Sequence, residues 1–174
     1  MKTTKVVLPN AVMLGEVSRM LDEGHSVVIM TKGSSMSPFI RGERDSVELL
    51  KLPQVEVGDI VLCQLSPGHY VLHRVRALKD DKVLLKGDGN LDATERCTLG
   101  DVCGTAVAIL RPGGRRIDCR TERFKRRSRR WVSAPRIVRR YALGIYRRIN
   151  ILLKQFPDLP FAPWARNSSS RQRA

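Results

Sequence analysis

Three short segments carry side chains that together could perform acyl transfer. Ser35 lies in Lys32-Gly33-Ser34-Ser35-Met36-Ser37-Pro38-Phe39, His73 in Val71-Leu72-His73-Arg74-Val75, and Asp88 in Lys86-Gly87-Asp88-Gly89-Asn90. A serine hydroxyl is a weak nucleophile until a base takes its proton. An imidazole, with an ordinary pKa of about 6.5, does this near neutral pH. An acid that accepts the second imidazole N–H fixes the tautomer. Backbone N–H groups around Ser35 would serve a developing oxyanion, with Gly33 allowing close approach of a substrate. In an extended strand His69, Val71, His73 and Val75 share a face, which sets the imidazole among apolar neighbours. Taken singly these segments are ordinary, since Gly-Ser-Ser and Asp-Gly-Asn are common turn sequences.

The elements that must position these groups follow from periodicity. Met13, Leu14, Val17, Met20 and Leu21 form one stripe of a helix over 11–23, with Asn10 as N-cap and Gly24 as the C-terminal stop. Strands are expected at 26–31, 45–50, 59–65, 69–78, 82–86 and 102–110, with a last short one at 116–120. Pro53, Gly58, Pro67-Gly68, Asp80-Asp81 and Gly87 to Asn90 separate them. Such short connections leave no room for crossover helices, so the expected fold is mostly β. It is a coiled antiparallel sheet or barrel with an N-terminal helix. Further on, Val138, Tyr141, Ala142, Ile145, Ile149, Leu152 and Phe156 recur at helical spacing, with Arg136, Arg139, Arg140, Arg147 and Arg148 largely off that stripe. This predicts a basic amphipathic helix over 135–156.

The motifs resemble those of the signal-peptidase and LexA-type serine peptidase superfamily. Gly33-Ser34-Ser35-Met36-Ser37-Pro38 is similar to its nucleophile box, Gly58-Asp59-Ile60-Val61 to the step before its second strand, His73-Arg74-Val75 to its base box, and Lys86 to Asn90 to its Gly-Asp box. Each box alone is a weak signal; four in the family's order across residues 33–105 are specific. The histidine, where other branches carry lysine, resembles the Ser-His branch. The resemblance implies a serine endopeptidase with Ser35 as nucleophile and His73 as base. Arg74 is then structural, packing or pairing beside the site. For the third member it implies an acid in the Gly-Asp box or one six or seven residues later. Asp88 fits the first description and is preferred, with Glu95 next; Asp92 fits neither. Arg41-Gly42-Glu43-Arg44-Asp45-Ser46 interrupts the family's Gly-Asp step after the nucleophile. The membrane anchor of signal peptidases and the DNA-binding domain of LexA-like repressors have no counterpart in the resemblance.

Charge divides the 174 residues. Residues 111–174 hold 19 Lys/Arg against 3 Asp/Glu, so +16, while residues 1–110 hold 13 against 14, so −1. The expected organisation is a catalytic domain over 1–120 and a basic, partly helical tail over 121–174. Such asymmetry calls for an anionic partner, either a membrane surface or nucleic acid, beside the peptide substrate. Alternatively the helix over 135–156 packs its apolar stripe on the domain and leaves its charges solvated. Cys63, Cys97, Cys103 and Cys119 show no Cys-x-x-Cys spacing and no accompanying His cluster, so reduced thiols in a cytoplasmic protein are expected, with no metal or cofactor. No apolar run approaches the roughly 20 residues a spanning helix needs, and any membrane association would be peripheral. The alternative to the peptidase is a weak or inactive relative that binds peptide, membrane or nucleic acid through the tail.

Overall fold

The structure, a computed structural model, describes residues 10–155, with side chains described over 12–151. Helix α1 (Asn10–Asp22) leads into β1 (Val27–Met30), β2 (Ser46–Leu50), β3 (Ile60–Ser66), β4 (His69–Lys79), β5 (Lys82–Lys86), β6 (Glu95–Thr98), β7 (Val102–Arg111) and β8 (Arg115–Asp118). Helices α2 (Glu122–Ser133) and α3 (Arg136–Gln155) follow. The protein is mostly β with helices, as the turn spacing predicts.

The eight strands form one sheet in the order β1-β2-β7-β3-β4-β5-β6, and every pairing is antiparallel. Strand β7 is the hub. Its one edge pairs with β2, and its other edge is shared by β3 at Val102–Thr105 and β8 at Ala108–Arg111. Strand β6 lies against β3 although β4 and β5 separate them in the sheet, so this end coils on itself. Register shifts in β3–β4 and β4–β5 supply the local twist such coiling needs.

Two apolar clusters fill the two sides. One, inside the coil, gathers Val61, Cys63, Val75, Val83, Leu85 and Val102. The other joins α1 to the sheet through Val17 and Leu21, with Phe39, Leu49, Leu62 and Ile109. A side chain of leucine size removed from water contributes about 1.5–3 kcal/mol, so these clusters dominate the stability. Helix α1 ends in a Schellman motif. His25 N–H donates to Met20 O and Gly24 N–H to Leu21 O, both at 3.0 Å, with Gly24 at φ 84°.

Two elements depart from the sequence expectation. Strand β6, Glu-Arg-Cys-Thr, is an extra edge strand held to β5 by backbone pairing. Helix α2, expected only as part of a basic tail, docks on the domain. Thr121 caps it, accepting from Phe124 N–H at 3.3 Å. Its Phe124 and Trp131 pack on the core and meet the Phe39 ring edge-on, each with centroids 6.0 Å apart. Phe156 and the residues after it lie outside the described residues, as does the side chain of Leu152.

Candidate active site

Ser35 sits on the loop from β1 to β2, which bends back on itself. Its base is stapled by Asp45, which is fully buried. Asp45 O accepts from Thr31 N–H (3.1 Å) and Thr31 Oγ1 (2.8 Å), and its carboxylate accepts from Arg41 N–H (2.9 Å) and Arg44 Nε (2.7 Å). The interrupted Gly-Asp step thus closes the loop with Glu43 in the left-handed region at φ 61°. Within the loop, Ser37 N–H donates to Ser34 O (3.1 Å) and Ile40 N–H to Met36 O (3.0 Å), and the Ser37–Pro38 peptide is cis. Met36, Phe39 and Ile40 are buried and anchor the turn in the core, leaving Ser35 half-buried above them.

His73 is on β4, opposite Val61 of β3, and is 6% exposed. Its Nδ1 lies 2.8 Å from Glu95 Oε2, at the start of β6. A carboxylate only accepts, so Nδ1 carries the proton and Nε2 is left as the basic nitrogen. Ser35 and His73 line one pocket of about 250 Å³, whose other walls include Leu14, Ile29, Leu62 and Leu72. Among the described hydrogen bonds none joins Ser35 Oγ to the imidazole. The two groups share a wall without being bonded, and catalytic hydrogen bonds are commonly loose before substrate binds.

Asp88 stands elsewhere, which reverses the preference for it as His73's partner. It is 2% exposed and belongs to Arg74, the residue after His73. Arg74 Nε lies 2.8 and 3.0 Å from the two Asp88 oxygens, and Nη2 lies 2.7 Å from Oδ2. Successive strand residues point to opposite faces, so His73 and Arg74 cannot take the same acid from the same side. Glu95, not Asp88, meets the imidazole. Asp92 is on the surface, paired with Arg136 at 2.8 Å, which holds its carboxyl below the usual range. Lys86 donates to Leu91 O, and burial and the Arg139 guanidinium lower its pKa.

The Asp88 turn nevertheless bears on Ser35. Gly89 N–H donates to Ser35 O at 2.7 Å. A Cβ on Gly87 would stand 2.6 Å from Ser35 O, and one on Gly89 2.7 Å from Ser34 O. Both positions admit glycine alone, because the turn lies directly against the loop that carries Ser35. Arg74 locks this turn to the scaffold. It is fully buried, its Nη1 donates to Gly58 O (2.6 Å) and Ser128 Oγ on α2 (2.8 Å), and its guanidinium lies 4.4 Å from the Phe39 ring centre. Arg139 of α3, 3% exposed, adds Nη2 hydrogen bonds to Asp88 O (3.3 Å) and Asn90 O (2.9 Å). Sequence reasoning did not single out Asp45, Ser128 or the buried role of Arg139. Their signal is weak, since each is one polar residue within a polar stretch.

The four cysteines are unpaired, and burial pushes the Cys119 thiol up to about 12. Among the described residues no His, Cys, Asp and Glu side chains cluster as metal ligands, and no helix is long and apolar enough to cross a membrane. No protein-family model matches the chain, and no curated protein sequence matches it.

Proposed function

We propose that this protein is a serine endopeptidase similar to the Ser-His branch of the signal-peptidase and LexA-type superfamily. The observation that carries the reading is His73: Glu95 holds its Nδ1, and it shares one apolar-walled pocket with Ser35. A peptide lies in that pocket with its scissile carbonyl carbon over Ser35 Oγ. His73 Nε2 takes the hydroxyl proton as Oγ attacks, and backbone N–H groups of the nucleophile turn stabilise the oxyanion. The imidazolium then protonates the leaving nitrogen, the C–N bond breaks, and an ester on Ser35 remains. Water attacks the ester with the same histidine as base, releasing the acid and restoring the hydroxyl. Glu95 keeps the imidazole in its tautomer and steadies the imidazolium without taking the proton. The walls formed by Leu14, Ile29, Leu62 and Leu72 favour an apolar residue beside the cleaved bond.

The same proposal sets the enzyme in the cytoplasm, held peripherally at the membrane's inner face, and the +16 charge over residues 111–174 supports this. The test is mass-spectrometric comparison of peptides released from a proteome-derived peptide library by wild type and by Ser35→Ala and His73→Ala. Cleavages present in wild type and missing in both variants are expected. Equal activity in Ser35→Ala overturns the assignment and makes Ser34 the next nucleophile to test. The absence of cleavage by wild type, with the fold intact, favours the second reading, a binding relative. The unformed Ser35–His73 hydrogen bond is the observation on its side.

A further inference from the structure

Helix α3 is mounted the wrong way round for a core helix. Its inward face is Arg139, Leu143, Tyr146 and Asn150, of which Leu143 is 2% exposed and Arg139 is hydrogen-bonded into the Asp88 turn. These residues recur at helical spacing, so the outward arc of the cylinder is fixed as well. One flank of that arc is apolar: Val138, Tyr141, Ile145 and Ile149 are 52%, 68%, 59% and 49% exposed, and Ile137 and Ile151 are also exposed farther round the arc. The expected stripe therefore exists but points into solvent, and the packing alternative holds only for the other face. Four large apolar side chains on one outward line have no partner in this chain among the described residues.

The charges beside the stripe say what covers it. Residues 122–155 hold 12 Lys/Arg and a single acid, Glu122. Arg140, Arg147 and Arg148 are exposed and, with Leu91, Leu143 and Ile145, line a groove of about 390 Å³ along the flank of the helix. Arg148 borders the apolar flank and Arg140 and Arg147 stand across the outward arc from it, so charge and apolar surface face the same side of the helix and match a phospholipid: phosphate among the arginines, acyl chain against Ile145 and Tyr141. Nucleic acid would use the charge and leave the stripe in water; a second copy of this chain would bring like charge onto like charge.

We infer that α3 is an interfacial helix that seats the protein on an anionic phospholipid surface through Val138, Tyr141, Ile145 and Ile149, with Arg140, Arg147 and Arg148 on the headgroups. This does not depend on the peptidase reading. The test is flotation of the full 174-residue protein with phosphatidylcholine vesicles, with and without phosphatidylserine. Partition is expected with phosphatidylserine and is expected to weaken steeply as salt rises. Ile145→Asp should lower it by about tenfold or more, and Arg148→Gln by roughly fivefold. Both substituted residues are exposed, so thermal melting and hydrolysis of a soluble peptide should stay as in wild type; that readout separates loss of lipid binding from failure of the catalytic assignment. Wild type that stays with the soluble fraction at low salt, or Ile145→Asp that floats as well as wild type, overturns the inference. RNA binding without vesicle partition, or a dimer that Ile145→Asp dissolves without any partition, also overturns it and assigns the face to that partner.

Discussion

His73 and Arg74 are neighbours on β4, and each holds a carboxylate, yet the two pairs do different work. The His73–Glu95 pair borders a pocket, and Glu95 is 24% exposed in its side chain. The Arg74–Asp88 pair is sealed, at 0% and 2%, and all its bonds end on protein. An imidazole can change charge near neutrality; a guanidinium cannot. One strand thus presents a pair that can move a proton and, one residue on, a pair that cannot. The fixed pair sets the turn against which the Ser35 loop rests. Under the proposed reading, chemistry and scaffold are separated by the pleat of a single strand.

Breaking the sealed pair should have the largest effect on the fold. Arg74→Met leaves Asp88 buried without its partner, and the expected loss is about 3–5 kcal/mol, read as a lower urea midpoint. Arg74→Met with Asp88→Leu should be less destabilised than either single variant, because no lone charge remains. Additive losses would show that the pair does not act as a unit.

Breaking the open pair should mainly alter rate. Glu95→Gln should lower kcat/KM on the order of 10²-fold, about 2.7 kcal/mol of transition-state stabilisation, with a urea midpoint close to wild type. A Glu95→Gln rate equal to wild type would take Glu95 out of the site. The smallest effect is expected for Lys86→Gln. Its amine is tied to Leu91 O, so the pH–rate profile should keep its shape and the stability should change by about 0.5 kcal/mol or less. A lost inflection in that variant would make lysine the base.

Most of the sheet was legible because its strands are β-branched runs cut by Gly, Pro and Asp turns. Strand β6 was not, because Glu95-Arg96-Cys97-Thr98 has no alternation and is a strand only through its backbone pairing to β5. Helix α2 hid for a similar reason, since two aromatic anchors, Phe124 and Trp131, are diluted by arginines. In the candidate site, the motifs point to Ser35 and His73, but which acid meets the imidazole, Asp88 or Glu95, could not be read from offset. It was decided by competition from Arg74, and which face each side chain takes emerges only when β4 is set in the sheet. The stripe of α3 was read correctly as a pattern. Its direction was hidden because the docking face is anchored by a charged residue, Arg139, whose partners lie 51 and 49 positions away.

Those distant partners also impose an order of assembly. Ser35, His73 and Glu95 are all present once the first 95 residues exist, but the turn under Ser35 receives its last supports from Ser128 and Arg139. A chain emerging from the ribosome therefore carries its reactive groups well before it can hold them in register. The C-terminal helices act as a late keystone: until they dock, the Asp88 turn beneath Ser35 lacks the Arg139 hydrogen bonds and Arg74 lacks its Ser128 partner.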